Sequence, residues 1–102
     1  MSISMQPDIS LAFADPLRRE IIQLLADESL CTCHLVDLTG AKQPTISHHL
    51  KVLKQLGIVE SEAVGRNTYY RIVSRSLIDY ANSLIALAEK ASFSNKERPG
   101  CQ

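Results

Sequence analysis

Two cysteines separated by one residue are the groups in this chain best suited to chemistry. Cys31 and Cys33 flank Thr32, and the third cysteine, Cys101, lies at the far end of the sequence. Thiolates are soft ligands that select soft or borderline metal ions, and a helix N-terminus lowers the pKa of a thiol placed there. The pair is therefore a candidate site for a soft ion. Residues this close in sequence rarely bridge each other, so we expect no disulfide framework.

The short helix expected around these cysteines limits what they can do. On an α-helix, side chains two positions apart point about 200° away from each other. Both sulfurs can therefore hold one ion only if the segment is extended or unwinds. Cys33 and His34 also diverge on a helix, which makes them a poor nucleophile and base. Because no Gly-rich phosphate loop or carboxylate constellation accompanies them, the sequence does not predict an enzyme.

Length and composition indicate the class of protein. The chain has 102 residues, of which 45% are hydrophobic and 22% are charged. This length suits one small domain, and the composition is ordinary for a globular protein. No apolar run approaches the roughly 18–20 residues that cross a bilayer, and residues 1–10 lack the features of a secretory signal. We therefore expect a cytoplasmic protein with no membrane partner.

Positive charge is concentrated in the middle of the chain, although the formal net charge is zero. Residues 1–41 carry four more acidic than basic side chains, and residues 42–75 carry four more basic than acidic ones. A local field of this kind attracts phosphate without making the whole molecule basic. The middle third is therefore a candidate nucleic-acid surface, the alternative being a solvated surface rich in Lys and Arg.

The first half of the chain predicts short helices. A weak helix over residues 9–14 precedes Asp15 and Pro16, which are typical of an N-cap and a first helical residue. Apolar spacing then predicts a helix over residues 17–26.

Two further helices form a helix-turn-helix. The first covers roughly residues 33–39, with Thr32 as its cap, and the second runs from about Pro44 to residue 56. Gly40 and Gly57 end these helices. Two short helices joined by a brief connection that opens with a glycine are typical of a helix-turn-helix.

The second half predicts a hairpin and a final helix. Residues 58–64 and 68–73 are strand-like and flank a basic tip at residues 65–67. The final helix, residues 76–91, carries a heptad-like apolar stripe, and residues 92–102 are expected to form a mobile tail. The predicted fold is mainly α with a β-hairpin wing, that is, a winged helix-turn-helix.

The second helix of a helix-turn-helix lies in the major groove, where its N-terminal residues meet base edges. Gln pairs with adenine, and Ser and Thr contact several bases. No carboxylate occurs between residues 42 and 57, as expected for a face that meets a polyanion. The predicted DNA contacts are Gln43, Thr45, Ser47, His48, Lys51 and, at the hairpin tip, Arg66.

A family resemblance rests on several separate segments. The run from Gln43 to Leu53, then Gly57-Ile58-Val59, Gly65-Arg66 and Tyr69-Tyr70-Arg71, resembles the ArsR/SmtB family of winged-helix, metal-responsive repressors. Residues 14–18 and 21–25 look like the opening helices of that family, so the resemblance covers roughly residues 10–90. It implies a homodimer, joined through its terminal helices, that binds palindromic double-stranded operator DNA. Residues 1–91 would then be the DNA-binding and dimerisation domain.

The same resemblance assigns a role to the cysteines. Residues 30–35 resemble the Cys-x-Cys motif of the arsenic- and cadmium-sensing members, but Val36 stands where one pattern has a third cysteine. The resemblance implies that Cys31 and Cys33 bind the ion. Because the pattern's third cysteine is absent, Cys101, from the same chain or from the partner, is our candidate for the third ligand. His34 is the alternative third ligand and would point to zinc or cadmium. We expect ion binding to distort the helix start and so misplace the reading helix.

The leading interpretation is a repressor released from its operator by arsenite or antimonite, the trivalent forms of arsenic and antimony. A zinc or cadmium sensor, or a thiol redox switch, is the alternative within the same fold. A protein-interaction domain is the alternative from another class. Salt-dependent affinity for DNA would distinguish it from the regulators.

Overall fold

The computed structural model describes residues 8–93 and 97–100 of the chain. A 3₁₀ helix, Ile9–Phe13, forms where a weak helix was expected. The elements that follow are α1 (Pro16–Asp27), β1 (Leu30–Cys31), α2 (Thr32–Thr39), α3 (Gln43–Gln55), β2 (Val59–Val64), β3 (Asn67–Ile72) and α4 (Ser74–Phe93).

Helix α1 begins as its sequence predicts. The Asp15 carboxylate accepts hydrogen bonds from the backbone N–H groups of Leu17 and Arg18, at 2.8 and 3.2 Å. These bonds satisfy two donors that a helix start otherwise leaves without partners. Pro16 occupies the first turn, where its missing N–H costs nothing. The predicted cap and the predicted first helical residue are confirmed, and α1 ends at Asp27, one residue later than predicted.

The helix-turn-helix is formed by α2 and α3. Gly40 follows α2 with φ of 74°, the left-handed conformation that glycine adopts without a steric penalty, and its N–H donates to Val36 O at 2.9 Å. Helix α2 begins at Thr32 with Cys31 as its N-cap, so the predicted cap at Thr32 is wrong by one residue. Helix α3 begins at Gln43, one residue before Pro44.

The core lies between these helices and the sheet. Its largest fully buried side chains all come from apolar positions, namely Ile21, Leu35, Ile46, Leu50, Leu53 and Ile58. Three of the six lie on α3, at the helical spacing that predicted this helix. The core therefore fixes the rotation of α3 and leaves its polar face outside.

The predicted hairpin is confirmed as β2 and β3, which pair from Val59 opposite Ile72 to Val64 opposite Asn67. We refer to residues 59–72 as the wing. Gly65 makes the turn with φ of 63°. The sheet has a third strand that the sequence did not predict, because β1 pairs with β3 on the other side, in the order β1-β3-β2. A strand of two residues is too short to show the alternation by which strands are recognised.

Helix α4 is two residues longer at each end than predicted. Leu77 packs against the core, whereas other large apolar side chains of this helix are exposed: Ile78, Leu84, Ile85, Leu87 and Phe93. The first two residues of the predicted tail, 92 and 93, belong to α4, and much of the remainder lies outside the described residues. No helix within residues 8–93 is long and apolar enough to cross a membrane.

Candidate metal centre and nucleic-acid interface

Cys31 and Cys33 converge at the junction between β1 and α2. Cys31 has an extended backbone, with φ of −87° and ψ of 168°, whereas Cys33 lies in the first turn of the helix. Their Cα atoms are 5.4 Å apart, within the range that a disulfide spans, and the two sulfurs are joined. The expectation that residues this close would not bridge is therefore wrong. The extended backbone of Cys31 turns its side chain toward Cys33, so α2 need not unwind for the sulfurs to meet.

His34 completes a cluster of three metal-ligating side chains. Its Nδ1 lies 3.3 Å from Cys31 Sγ and accepts a hydrogen bond from the Cys31 N–H at 3.2 Å. The ligand atoms of Cys31, Cys33 and His34 all lie within 4.8 Å of one another. Cys31 is buried, whereas Cys33 and His34 are exposed. Two sulfurs and one imidazole nitrogen are a donor set that suits soft and borderline ions.

The predicted third sulfur cannot be placed. Cys101 lies outside the described residues. Val36, which stands where one pattern has a third cysteine, is half-buried and packs against the core. Within residues 8–93 and 97–100, no other group of three His, Cys, Asp or Glu side chains is arranged to hold a metal ion.

The predicted DNA contacts lie on one exposed surface. Gln43, Thr45, Ser47, His48 and Lys51 are exposed on α3, and Arg66 is exposed at the tip of the wing. Helix α3 is tied to the wing by Lys54, whose Nζ donates to Ser61 Oγ at 2.8 Å. The wing is braced by Arg71, which pairs with Glu60 at 2.7 Å and Glu62 at 3.2 Å. This arrangement can present a helix and a basic turn to one duplex.

A crevice joins the cysteine cluster to this surface. It is open to solvent, with a volume of about 260 Å³. We call it the wing crevice, and its lining residues are Cys31, Thr32, Cys33, Gln43, Arg66, Asn67, Thr68 and Tyr70. The structure thus brings two of the predicted ion ligands and two of the predicted DNA contacts to the same cavity. This proximity was not predictable from local patterns, because it depends on the pairing of β1 with β3.

Proteins of known class resemble this chain in sequence. Residues 15–61 match the model of the arsR family of bacterial regulatory proteins. An HTH-type transcriptional regulator of Methanocaldococcus jannaschii is 40% identical over 84 residues, which cover 81% of this chain and 90% of that protein. The chain belongs to the arsR family. An arsenical resistance operon repressor of Staphylococcus xylosus is 34% identical, with 80% of this chain and 78% of the repressor covered.

Other members of the arsR family extend the comparison. A cadmium resistance regulatory protein of Listeria innocua is 36% identical over 65% of this chain, which spans 56% of that protein. The structure of an ArsR-like regulator from Rhodococcus is 27% identical, with a TM-score of 0.79 over 82% of this chain and 77% of that one. A homodimeric winged helix-turn-helix domain from Mycobacterium bovis shares the fold, with 24% identity and a TM-score of 0.66 over 94% and 100% of the two chains.

Membership in the arsR family confirms three of the predictions. The fold is a winged helix-turn-helix, the chain is a DNA-binding transcriptional repressor, and it is not an enzyme. Relatives named for arsenical and for cadmium resistance both match. The match to the family therefore does not distinguish between these two named kinds of relative.

One group of functional interest was missed by the sequence analysis. His49, next to the exposed His48, is buried and accepts a hydrogen bond at Nδ1 from Arg18 Nε at 3.1 Å. Its Nε2 lies 3.8 Å from the Asp15 carboxylate, so this histidine ties the recognition helix to the start of α1. Because Nδ1 accepts a hydrogen bond, the ring is neutral, with its proton on Nε2. Two adjacent histidines on one helix differ in role only because the core covers one of them.

We expect the stability of the fold to fall below neutral pH because of His49. Burial lowers the pKa of His49 from its ordinary value of 6.5, against the raising effect of Asp15. Between that lowered pKa and about 6.5, the unfolded chain binds more protons than the folded chain, so stability is lost as the pH falls through this window. Hydrogen bonds from the backbone, that of Arg18 first, lower the pKa of Asp15 as well, but its contribution is lost only below about pH 4.

Urea unfolding at pH 5, 6 and 7 measures this effect. In His49→Asn the amide oxygen replaces Nδ1 as acceptor and does not titrate, so the dependence on pH across the window should largely disappear. In His48→Asn, which alters an exposed ring, it should persist. An equal loss in both variants would contradict the assignment to His49.

Proposed function

We propose that this arsR-family protein is a repressor released from its operator by trivalent arsenic or antimony bound to cysteine thiolates. The observation that carries the proposal is the cluster of Cys31, Cys33 and His34 at the start of the helix-turn-helix, with ligand atoms within 4.8 Å. An ion bound there touches the element that positions α3. The match to an arsenical resistance operon repressor over 78% of that protein supports the choice of inducer.

The residues fit a soft ion once the two sulfurs are reduced. Joined sulfurs have no thiolate to offer, whereas thiols are kept reduced in the cytosol by low-molecular-weight thiols and thioredoxin. Reduction leaves Cys31 at the N-cap of α2 and Cys33 in its first turn, where the helix dipole favours the thiolate form. The exposure of Cys33 gives the ion a path from solvent.

The third ligand distinguishes the inducers. Cys101 as third ligand would give three sulfurs, the set that favours arsenite or antimonite. His34 as third ligand would give two sulfurs and one nitrogen, which suits zinc or cadmium. The relative named for cadmium resistance supports this second inducer class.

A thiol redox switch is the other alternative for the same site. The proximity of Cys31 and Cys33, whose Cα atoms are 5.4 Å apart, supports it. In that case hydrogen peroxide would oxidise the two thiols to a disulfide and be reduced to two molecules of water. The redox state of the pair would then itself alter operator binding. Comparison of oxidised and reduced protein in the absence of any ion tests this alternative.

Local hydrogen bonding explains how capture by the ligand set that includes His34 would disturb α2. His34 Nδ1 has one lone pair when neutral, and it already accepts the N–H of Cys31, the N-cap residue. Ligation of an ion by that atom therefore breaks the hydrogen bond and frees a donor at the helix start. Because α2 packs against α3 through the core, loosening its first turn would misplace the recognition helix.

The remaining parts of the proposal concern DNA, assembly and location. Residues 43–51 of α3 would read the major groove of a palindromic double-stranded operator, and Arg66 would meet the backbone. The exposed apolar side chains of α4 would form a homodimer interface, so residues 1–91 would be the DNA-binding and dimerisation domain and 92–102 a mobile tail. A protein that binds chromosomal DNA would act in the cytoplasm.

Operator titration against arsenite, antimonite, zinc and cadmium tests the inducer. The reduced protein should lose operator affinity with arsenite or antimonite at the lowest concentrations. Repeating the titration with Cys101→Ser identifies the third ligand, since arsenite sensitivity should fall only if Cys101 binds the ion. Release by zinc or cadmium alone would favour the His34 set, and no release by any ion would contradict the proposal.

We expect the recognition helix and the ion site to be separable by mutation. His48→Ala or Ser47→Ala should weaken operator binding, each by about 1–3 kcal/mol if the side chain reaches a base edge. Both residues are exposed on α3, and neither lines the wing crevice that holds Cys31 and Cys33. Arsenite binding, measured by calorimetry on the reduced variants without DNA, should therefore stay at the wild-type value. Loss of both activities together would argue against this division.

A further inference from the structure

The three candidate ion ligands that the structure describes all lie against the wing. Cys31 lies opposite Tyr69 across the β1–β3 pair. The rings of His34 and Tyr69 have centroids 6.0 Å apart at an interplanar angle of 59°. Cys33 lines the wing crevice together with Arg66. A change in the position of any one of these ligands therefore acts on β3 without an intermediate element.

Strand β3 leads directly to the exposed charge at the wing tip. Arg66 comes three residues before Tyr69 and immediately before the start of β3. It makes no ion pair with any residue that the structure describes, so its charge is free for a DNA phosphate. By contrast, both cross-strand carboxylates, Glu60 and Glu62, pair with Arg71. Because those ion pairs and the continuous ladder hold β2 and β3 together, the wing is expected to move as a unit.

A second route to the DNA also exists. Helix α2 packs against α3, and Gln43 of α3 lines the wing crevice. The two routes differ in which DNA contact they weaken. The wing route weakens the contact made by Arg66, whereas the helix route weakens contacts made by α3, such as that of Lys51.

We propose that ion capture is transmitted to the operator mainly through the wing, with Arg66 as the residue that carries the coupling. Binding of an ion to Cys31 and Cys33 displaces β1, the displacement passes across the ladder to β3, and Arg66 withdraws from a DNA phosphate. The inference rests on the proposed function and specifies the regulation of that site. It assigns to the two-residue strand β1 the role of linking the ion site to the wing.

A thermodynamic cycle with two matched variants tests this route. Arg66→Gln and Lys51→Gln each remove one exposed cation from the DNA surface, and each should lower operator affinity and reduce the salt dependence by about one phosphate contact. Affinity is then measured for reduced protein with and without arsenite. The factor by which arsenite weakens binding should shrink at least about fivefold in Arg66→Gln, relative to wild type, and stay unchanged in Lys51→Gln.

Hydrogen exchange on the reduced protein without DNA provides a second measurement. Arsenite should change the exchange of amides in residues 67–72 more than in residues 43–55. The wing route would be overturned if the factor by which arsenite weakens operator binding shrank equally in both variants, or only in Lys51→Gln. It would also be overturned if arsenite changed amide exchange only in α3. If wild-type protein binds arsenite but keeps its operator, or does not bind arsenite at all, the proposed function fails and the wing route fails with it.

Discussion

Cys31→Ser should give a repressor that binds its operator and does not release it in arsenite. Serine is a favoured N-cap residue, and its hydroxyl can accept the backbone hydrogen bond at the start of α2. The substitution therefore removes a soft ligand while the helix keeps its cap. Wild-type affinity should fall by roughly 5–150-fold on arsenite binding, the usual range of coupling between two sites, whereas affinity in the variant should change by less than about twofold.

Cys33→Ser should behave in the same way, because both sulfurs are needed to hold one ion. Thr32 lies between Cys31 and Cys33, so Thr32→Ser is the matched control. This variant keeps both sulfurs and should release its operator normally in arsenite. Fluorescence anisotropy of a labelled operator, with protein reduced by a phosphine rather than a thiol, measures each affinity. Normal release by both cysteine variants would remove the cysteine pair from the mechanism.

A charge introduced into the apolar face of α4 should prevent assembly and greatly weaken operator binding. Leu84 is 48% exposed in the single chain and lines an apolar groove with Phe13 and Tyr80, whose rings stack at 5.8 Å. In a dimer Leu84→Glu would bury an unpaired carboxylate, which is strongly unfavourable. Because one protomer contacts only half of a palindrome, losing the second half-site should cost roughly 10²–10⁴ in affinity.

Ala86→Glu supplies the matched control for this variant. It adds the same charge two residues away on α4, at an exposed position whose neighbours one helical turn away are all polar, namely Asn82, Ser83, Glu89 and Lys90. Sedimentation should show a monomer for Leu84→Glu and a dimer for wild type and Ala86→Glu. Thermal unfolding should confirm that the Leu84→Glu protomer remains folded. A dimeric Leu84→Glu that binds the operator normally would exclude this face as the interface.

The helices were predictable because their signals are local. The Asp15 cap, the proline at position 16 and the glycine at position 40 act within a few residues of themselves. The apolar spacing of α3 likewise determines which of its residues face the core, and the polar side chains left outside are the predicted DNA contacts. The family resemblance also rests on short local segments, and the comparisons with known proteins confirm the family.

The sequence by itself thus determined the winged helix-turn-helix, the exposed reading face and the cysteine pair as a candidate ion site. Only the tertiary structure decided that β1 joins the wing, that Cys31 and Cys33 converge, and that His49 accepts a hydrogen bond from Arg18. Each of these depends on contacts between residues or backbone angles that no local pattern encodes. A two-residue strand exists because β3 provides its hydrogen-bonding partners, and that pairing places the cysteines beside Arg66.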